Sequence, residues 1–322
     1  MKNQKTVPIF FSCDDKYVPF LSVALTSMIE NASKEFFYHI YVLHSQSISE
    51  KNQAKIIASH KEKNLKIEFV DITEYVVKIS EKLHTRDYYS KSTYYRLFIP
   101  NLYPQYDKVL YLDSDIVICG DVSELYNVDL GDNLVGAITD GAILQVKVFQ
   151  DYVEERVGVE KYEHYFNAGI LLMNTKRLRE IDFEDLFIDL LTMVTFNIAQ
   201  DQDYLNAICR GRVTYIDETW DQMPIHFKDY GTAKPKLVHF NLSFKPWHID
   251  GVPYGDIFWD YAKKCSFYDE IKEIKDNYST DLQKFSEEET VNLMKTANAQ
   301  ALEKEQNAII EKAVKSIHAR IK

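Results

Sequence analysis

Three side chains carry the most chemistry for their position: Asp113, Asp115 and His239. Asp113-Ser114-Asp115 directly follows the apolar run Val109-Leu110-Tyr111-Leu112. On an extended segment residues i and i+2 point to the same side, so two carboxylates at that spacing can grip one hard divalent cation. The alternative is a pair of acidic loop residues capping a turn, and a second D-x-D, Asp201-Gln202-Asp203, shows how common the pattern is. His239 follows Lys236-Leu237-Val238. Taken alone it reads as a packed histidine. Joined to the two aspartates it makes a mixed nitrogen and oxygen donor set that suits Mn²⁺ better than Ca²⁺. Lys245, ahead of Pro246-Trp247, is either a phosphate-binding cation on a stiff turn or a surface lysine. Arg96 sits in the apolar stretch Tyr94-Tyr95-Arg96-Leu97. A guanidinium there needs a carboxylate, a diphosphate or a sugar as partner, because burying it alone is costly.

Other chemistries are absent from the pattern. The chain has no G-x-G-x-x-G, no G-x-x-x-x-G-K-[ST] and no G-x-S-x-G, so neither a dinucleotide fingerprint, a P-loop nor a hydrolase nucleophile elbow is indicated. Its 322 residues carry a net charge of −11, which excludes nucleic-acid binding by bulk charge. Four isolated cysteines without a C-x-x-C pair fit a reducing compartment better than a disulfide framework or zinc site. The one N-terminal apolar run, Val7–Cys13, meets Asp14 and Asp15 at once and is too short for a signal peptide. With no run long enough to span a bilayer, the expected location is cytoplasmic, with the inner face of the membrane as a further option. The 22 Tyr suit a sugar or base platform, or simply a Tyr-rich core and rim.

The elements that must position these residues alternate. Strands are expected at Val7–Ser12, Phe36–Leu43, Leu65–Ile72, Lys108–Leu112, Leu134–Thr139 and Gly169–Met173. Helices are expected at Val18–Ile29, at Ser49–His60 with Ser49 as cap, and at Tyr94–Ile99, stopped by Pro100. Such alternation implies an α/β domain with a mostly parallel sheet flanked by helices. Ligands in these sheets sit beyond the carboxyl ends of strands, which singles out Ser12–Asp15, Asp113–Asp115 and Asp140. After residue 254 the character changes to helical spacing, giving a catalytic domain at 1–254 and a helical appendage at 255–322. Residues 284–322 carry seven basic and six acidic side chains. That near-neutral balance favours packing or self-association over membrane contact.

Taken together and in order, six motifs resemble the retaining glycosyltransferases of family 8, over roughly residues 7–250. They are Phe10-Phe11-Ser12-Cys13-Asp14-Asp15-Lys16-Tyr17, Thr93-Tyr94-Tyr95-Arg96-Leu97, Asp107 through Asp115, Phe166-Asn167-Ala168-Gly169, Gln200-Asp201-Gln202-Asp203, and His239 through Trp247. Lys16 stands where the family often has Asn, and Leu242 where it often has Gly. The resemblance implies a GT-A fold, a UDP-sugar donor and Mn²⁺, with Mg²⁺ as substitute. It implies that Asp113, Asp115 and His239 hold the metal. Ser12, Cys13, Asp14, Tyr17 and Ser114 would line the nucleotide, and Lys245 would contact the diphosphate. Arg96, Asn167, Asp201 and Gln202 would surround the donor sugar, with Asp140 at the donor–acceptor junction.

The expected reaction is transfer of galactose or glucose to a hydroxyl of an oligosaccharide or glycosylated protein. Retention needs a protein nucleophile or front-side attack. The group the resemblance puts nearest the anomeric carbon is Gln202, whose amide is a poor nucleophile, so front-side displacement is favoured, with Asp201 or Asp203 as the rival nucleophile. Two other classes stay open: a catalytically silent UDP-sugar-binding scaffold or chaperone, and a sugar-1-phosphate nucleotidyltransferase. The second would want a Gly-rich basic loop after the first strand, where Phe10–Tyr17 is acidic and lacks Gly.

Overall fold

The apolar runs become strands because each is short, β-branched or aromatic, and closed by polar residues. In the computed structural model, which describes residues 4–45, 47–83, 92–225, 234–241 and 243–321, these strands are β1 (Thr6–Ser12), β2 (Phe37–His44), β3 (Leu65–Asp71), β4 (Val109–Leu112), β5 (Ile116–Ile118), β6 (Val135–Thr139), β7 (Phe166–Met173), β8 (Val213–Tyr215) and β9 (Leu237–His239). The described residues fall into two compact units. One comprises 1–96, 108–129 and 219–279, the other 97–107, 130–218 and 280–322.

In the first unit the strand order is β3-β2-β1-β4. All three pairings are parallel, with Ile9 opposite both Ile40 and Leu110. β1 and β4 are buried almost throughout, as a sheet covered on both faces requires. The helix Val18–Asn31 follows β1, with Pro19 in its first turn, where a missing N–H costs nothing. The helix Glu50–Ser59 is capped by Ser49, whose Oγ accepts from Asn52 N at 3.3 Å. A separate two-stranded antiparallel ribbon joins β5 to β9.

In the second unit the order is β7-β6-β8, antiparallel and then parallel. Expectation and structure agree on a mixed, mostly parallel sheet flanked by helices. They differ at Pro100. Ser92–Phe98 is a 3₁₀ helix, and Pro100 opens the short α-helix Ile99–Leu102 instead of stopping one, because proline suits a first turn as well as it breaks an interior.

From Gly255 on, the described chain is helical, at Gly255–Ala262, Tyr268–Asp276, Thr280–Ala301 and Lys304–His318. The last two belong to the second unit. There buried Arg156, in the π-helical turn Val153–Val157, donates to Glu303 and to Asn307 Oδ1, each at 3.0 Å. Among the described residues no helix is long and apolar enough to cross a membrane. The four cysteines are unpaired.

Candidate active site

In the first unit β4 ends at Leu112 and delivers Asp113 to Asp115, and β5 begins one residue later. The antiparallel ribbon places Ile116 opposite His239, and Phe240 N donates to the Asp115 carbonyl at 2.9 Å. This pairing brings residues more than a hundred positions apart into one cluster. His239 Nε2 lies 3.4 Å from Asp115 Oδ1 and 3.8 Å from Asp113 Oδ2. One ligand atom from each residue lies within 4.8 Å of the others.

The other ring nitrogen, His239 Nδ1, lies 3.0 Å from buried Asp221 Oδ1. A carboxylate behind a histidine fixes ring orientation and tautomer, as behind metal-ligating histidines generally. Asp221 arrives through the neighbouring Gln222, which bridges to Val238 and accepts from His239 N. Sequence reasoning missed it, because a lone aspartate outside a strand or helix has no periodic signal.

Burial alone would lower the His239 pKa, but Asp115 and Asp221 push it up to about 10. Burial also works against the Asp115 charge, yet the Lys245 ammonium and His239 hold that carboxyl well below the usual range. A ligand imidazole must be neutral, so a divalent cation taking Nε2 displaces this proton. Two carboxylates and an imidazole with a carboxylate behind it form a donor set that fits Mn²⁺ or Mg²⁺.

Around the triad stand the cations the sequence singled out. Lys245 is buried, not a surface lysine. Its Nζ donates to Asp115 Oδ2 and to the Phe240 carbonyl. Arg96 is 3% exposed. Its guanidinium lies 3.3 Å from Asp113 Oδ1 and 4.4 Å from the centroid of the Tyr111 ring, while Nε donates to Thr93 O. The Tyr111 hydroxyl donates to Asp113 Oδ1 at 2.8 Å. Asp14 Oδ1 accepts from Tyr17 N, and the half-exposed Tyr17 ring packs edge-on against Phe20. Ser114 Oγ donates to the carbonyl of buried Ser12, and the buried Cys13 thiol turns to the Asp14 carbonyl.

The second unit holds a polar cluster of its own residues. Asp140 follows β6 and caps the helix Gly141–Gln145. Its Oδ1 accepts from Ala142 N and Ile143 N, and its Oδ2 from Asn167 Nδ2 and Gln202 Nε2, both at 3.0 Å. Gln202 Nε2 also donates to the Tyr165 hydroxyl at 3.2 Å, and its Oε1 accepts from Ala168 N at 2.9 Å. Every polar atom of that amide is therefore engaged. Tyr165 in turn donates to Asp203 Oδ1 at 2.7 Å. Asp203 Oδ2 accepts from Tyr152 Oη and Ala199 N.

Asp203 is fully buried, and desolvation pushes its pKa up to about 6 despite these donors. Burial and the Asp203 charge keep both tyrosines protonated, hence donors. Asp201 is buried at the start of the helix Asp201–Cys209, just after Gln200 at φ 49°. A non-glycine residue at positive φ stores strain of a kind that clusters at functional sites. Tyr152 and Tyr165 were invisible among 22 tyrosines.

The α/β scaffold, with an Asp-x-Asp at the carboxyl end of β4 and a histidine returned to it, has the GT-A architecture of glycosyltransferases. The model of glycosyl transferase family 8 matches residues 8–251, and the chain belongs to that family. A Haemophilus influenzae protein that carries a glycosyltransferase name is 31% identical over 253 residues, 76% of this chain and 74% of that one. The lipopolysaccharide 1,2-glucosyltransferase of Escherichia coli is 26% identical over half of each chain. Among solved structures, the galactosyltransferase LgtC with donor and acceptor sugar analogues aligns at TM-score 0.63 and 27% identity, covering 81% of this chain and 96% of that one. The bifunctional glycosyltransferase WbbM aligns at TM-score 0.73 and 28% identity, over 85% of this chain and 52% of that one. The chain is thus a glycosyltransferase.

Proposed function

We propose that the chain is a metal-dependent retaining hexosyltransferase. It moves galactose or glucose from a UDP-sugar to a hydroxyl of a glycan or glycosylated protein by front-side displacement. The observation that carries this reading is the convergence of Asp113, Asp115 and His239, with Asp221 behind the imidazole. A bound divalent cation, Mn²⁺ or Mg²⁺, supplies Lewis-acid stabilisation of the departing diphosphate. Lys245 adds a fixed positive charge for the same oxygens, and Ser12, Cys13, Asp14, Tyr17 and Ser114 serve the nucleoside. Arg96, Asn167 and Asp201 hydrogen-bond the sugar, and Asp140 holds the Gln202 amide so that the second lone pair of its Oε1 accepts from a sugar hydroxyl.

Asp203 is not the nucleophile in this reading. It is buried, and both of its oxygens already accept hydrogen bonds. Gln202 is a poor nucleophile whose amide orients the sugar. The acceptor proton then passes to the leaving phosphate oxygen. We assign catalysis to residues 1–254, a supporting helical region to 255–322, and a cytoplasmic location.

The test is UDP release from UDP-galactose, UDP-glucose and UDP-N-acetylglucosamine, with Mn²⁺ and with a chelator, together with the anomeric configuration of the product by NMR. The reading expects release from one of the two hexose donors that stops on chelation, and a retained anomer. Metal-independent release, an inverted product, or a glycosyl adduct trapped on Asp201 or Asp203 would overturn it.

A further inference from the structure

The second unit contains a cavity of about 630 Å³ that no part of the reading above uses. It lies beside β8, the edge strand of this unit's β7-β6-β8 order, and reaches helix Lys304–His318 through Glu311. Its size falls in the range of small-ligand sites, enough for a di- or trisaccharide.

Two ring faces form part of the wall. Tyr215 is 44% exposed, and its ring centroid stands 5.8 Å from that of His164 at an interplanar angle of 30°. The Tyr215 hydroxyl is spent on the His164 carbonyl at 2.7 Å, so the phenol is fixed in place and presents its apolar face. Arg210 donates to the Gly158 carbonyl and pairs with Glu311. Glu160 is exposed and carries no hydrogen bond to another described residue.

The charges decide the ligand class. Glu311 is paired with Arg210 and, at 3.2 Å, with Lys315, so the charge left free in the lining is the Glu160 carboxylate, which disfavours a phosphate or a uronic acid. Carboxylates accept from hydroxyls, an arginine donates to them, and a fixed aromatic face packs on C–H bonds. The geometry points to a neutral oligosaccharide, the extended part of an acceptor glycan, seated against Tyr215 and held by Glu160. As an acceptor subsite it rests on the transferase reading; as a sugar site it stands alone.

The experiment is saturation-transfer NMR on the full chain in chelator, with lactose, maltotriose and chitobiose as probes and glucose 1-phosphate and glucuronate as charged counterparts. At least one neutral probe receives saturation and the charged pair do not. Tyr215→Ala weakens binding about tenfold, the scale of one lost aromatic contact. Tyr215→Phe keeps it, because the ring face and not the hydroxyl is used. Glu160→Ala, an exposed change that the fold tolerates, also weakens it. Both alanine variants keep wild-type UDP release, since neither residue touches the UDP-sugar in the proposed reaction. No saturation from any neutral probe, preference for the charged probes, or equal saturation in wild type and both alanine variants overturns the inference. Absent UDP release in the wild type would instead sink the transferase reading and leave the sugar binding to be judged alone.

Discussion

Asp203→Asn tests the electrostatics of the second unit's polar cluster. Asp203 is fully buried, and desolvation raises its pKa from the ordinary 3.8 to about 6. A carboxyl whose folded pKa exceeds its unfolded value binds its proton more tightly in the native state. It therefore contributes stability that is fully present below the unfolded pKa and is lost as pH rises through the folded one. A shift of about two units corresponds to roughly 3 kcal/mol, lost between about pH 4 and pH 6. Asparagine does not titrate, so the variant lacks this slope. In one flip its N–H₂ faces Tyr165 Oη, in the other both Tyr152 Oη and Ala199 N, a cost that is the same at every pH. The assay is urea unfolding of both proteins across about pH 3.5–7.5, which brackets the window. The variant's stability relative to wild type should rise by roughly 3 kcal/mol from the acid to the neutral end. Groups common to both proteins cancel in that difference. A flat difference, or one falling with pH, would refute the assignment of a raised pKa to Asp203.

Three further outcomes follow from the same contacts. Asp221→Asn removes the carboxylate behind His239 Nδ1, and Mn²⁺ affinity by calorimetry should fall about 10–100-fold, the usual effect of losing such a partner. Tyr165→Phe removes the donor to Asp203 and an acceptor for Gln202 Nε2; kcat should fall about tenfold, roughly 1.4 kcal/mol of barrier, with the donor KM nearly unchanged. Arg156→Ala strips the donor from buried Asn307 and from Glu303, and unfolding should be about 1–3 kcal/mol easier, read by thermal or urea melts.

How much the chain disclosed in advance depended on element length. β1, β2, β4, β6 and β7 were readable because each is a largely buried run of four or more mostly apolar residues, and β3 because Leu65, Ile67 and Phe69 alternate with charged residues. β5, β8 and β9 are three residues each, too short to show a period. Yet β5 and β9 set the position of His239. The Asp113-Ser114-Asp115 motif was visible locally, while its meeting with His239 depended on an antiparallel pairing with no sequence signature. Resemblance supplied what spacing could not. Tyr152, Tyr165 and Asp221 are ordinary residues by pattern. Only three-dimensional placement turns them into partners of Asp203 and His239. Pro100 shows the converse, a strong local signal whose two meanings, stop or start, are decided by packing.

The central claim is that one divalent cation, gripped by Asp113, Asp115 and His239, enables UDP to leave. The direct measurement is Mn²⁺ binding by electron paramagnetic resonance, run beside UDP release, in wild type and in the Asp113→Asn/Asp115→Asn double variant. The account predicts one tight Mn²⁺ site in the wild type, and loss of both the site and UDP release in the variant, with the fold intact by circular dichroism. Full Mn²⁺ binding or undiminished UDP release in the folded double variant would contradict it.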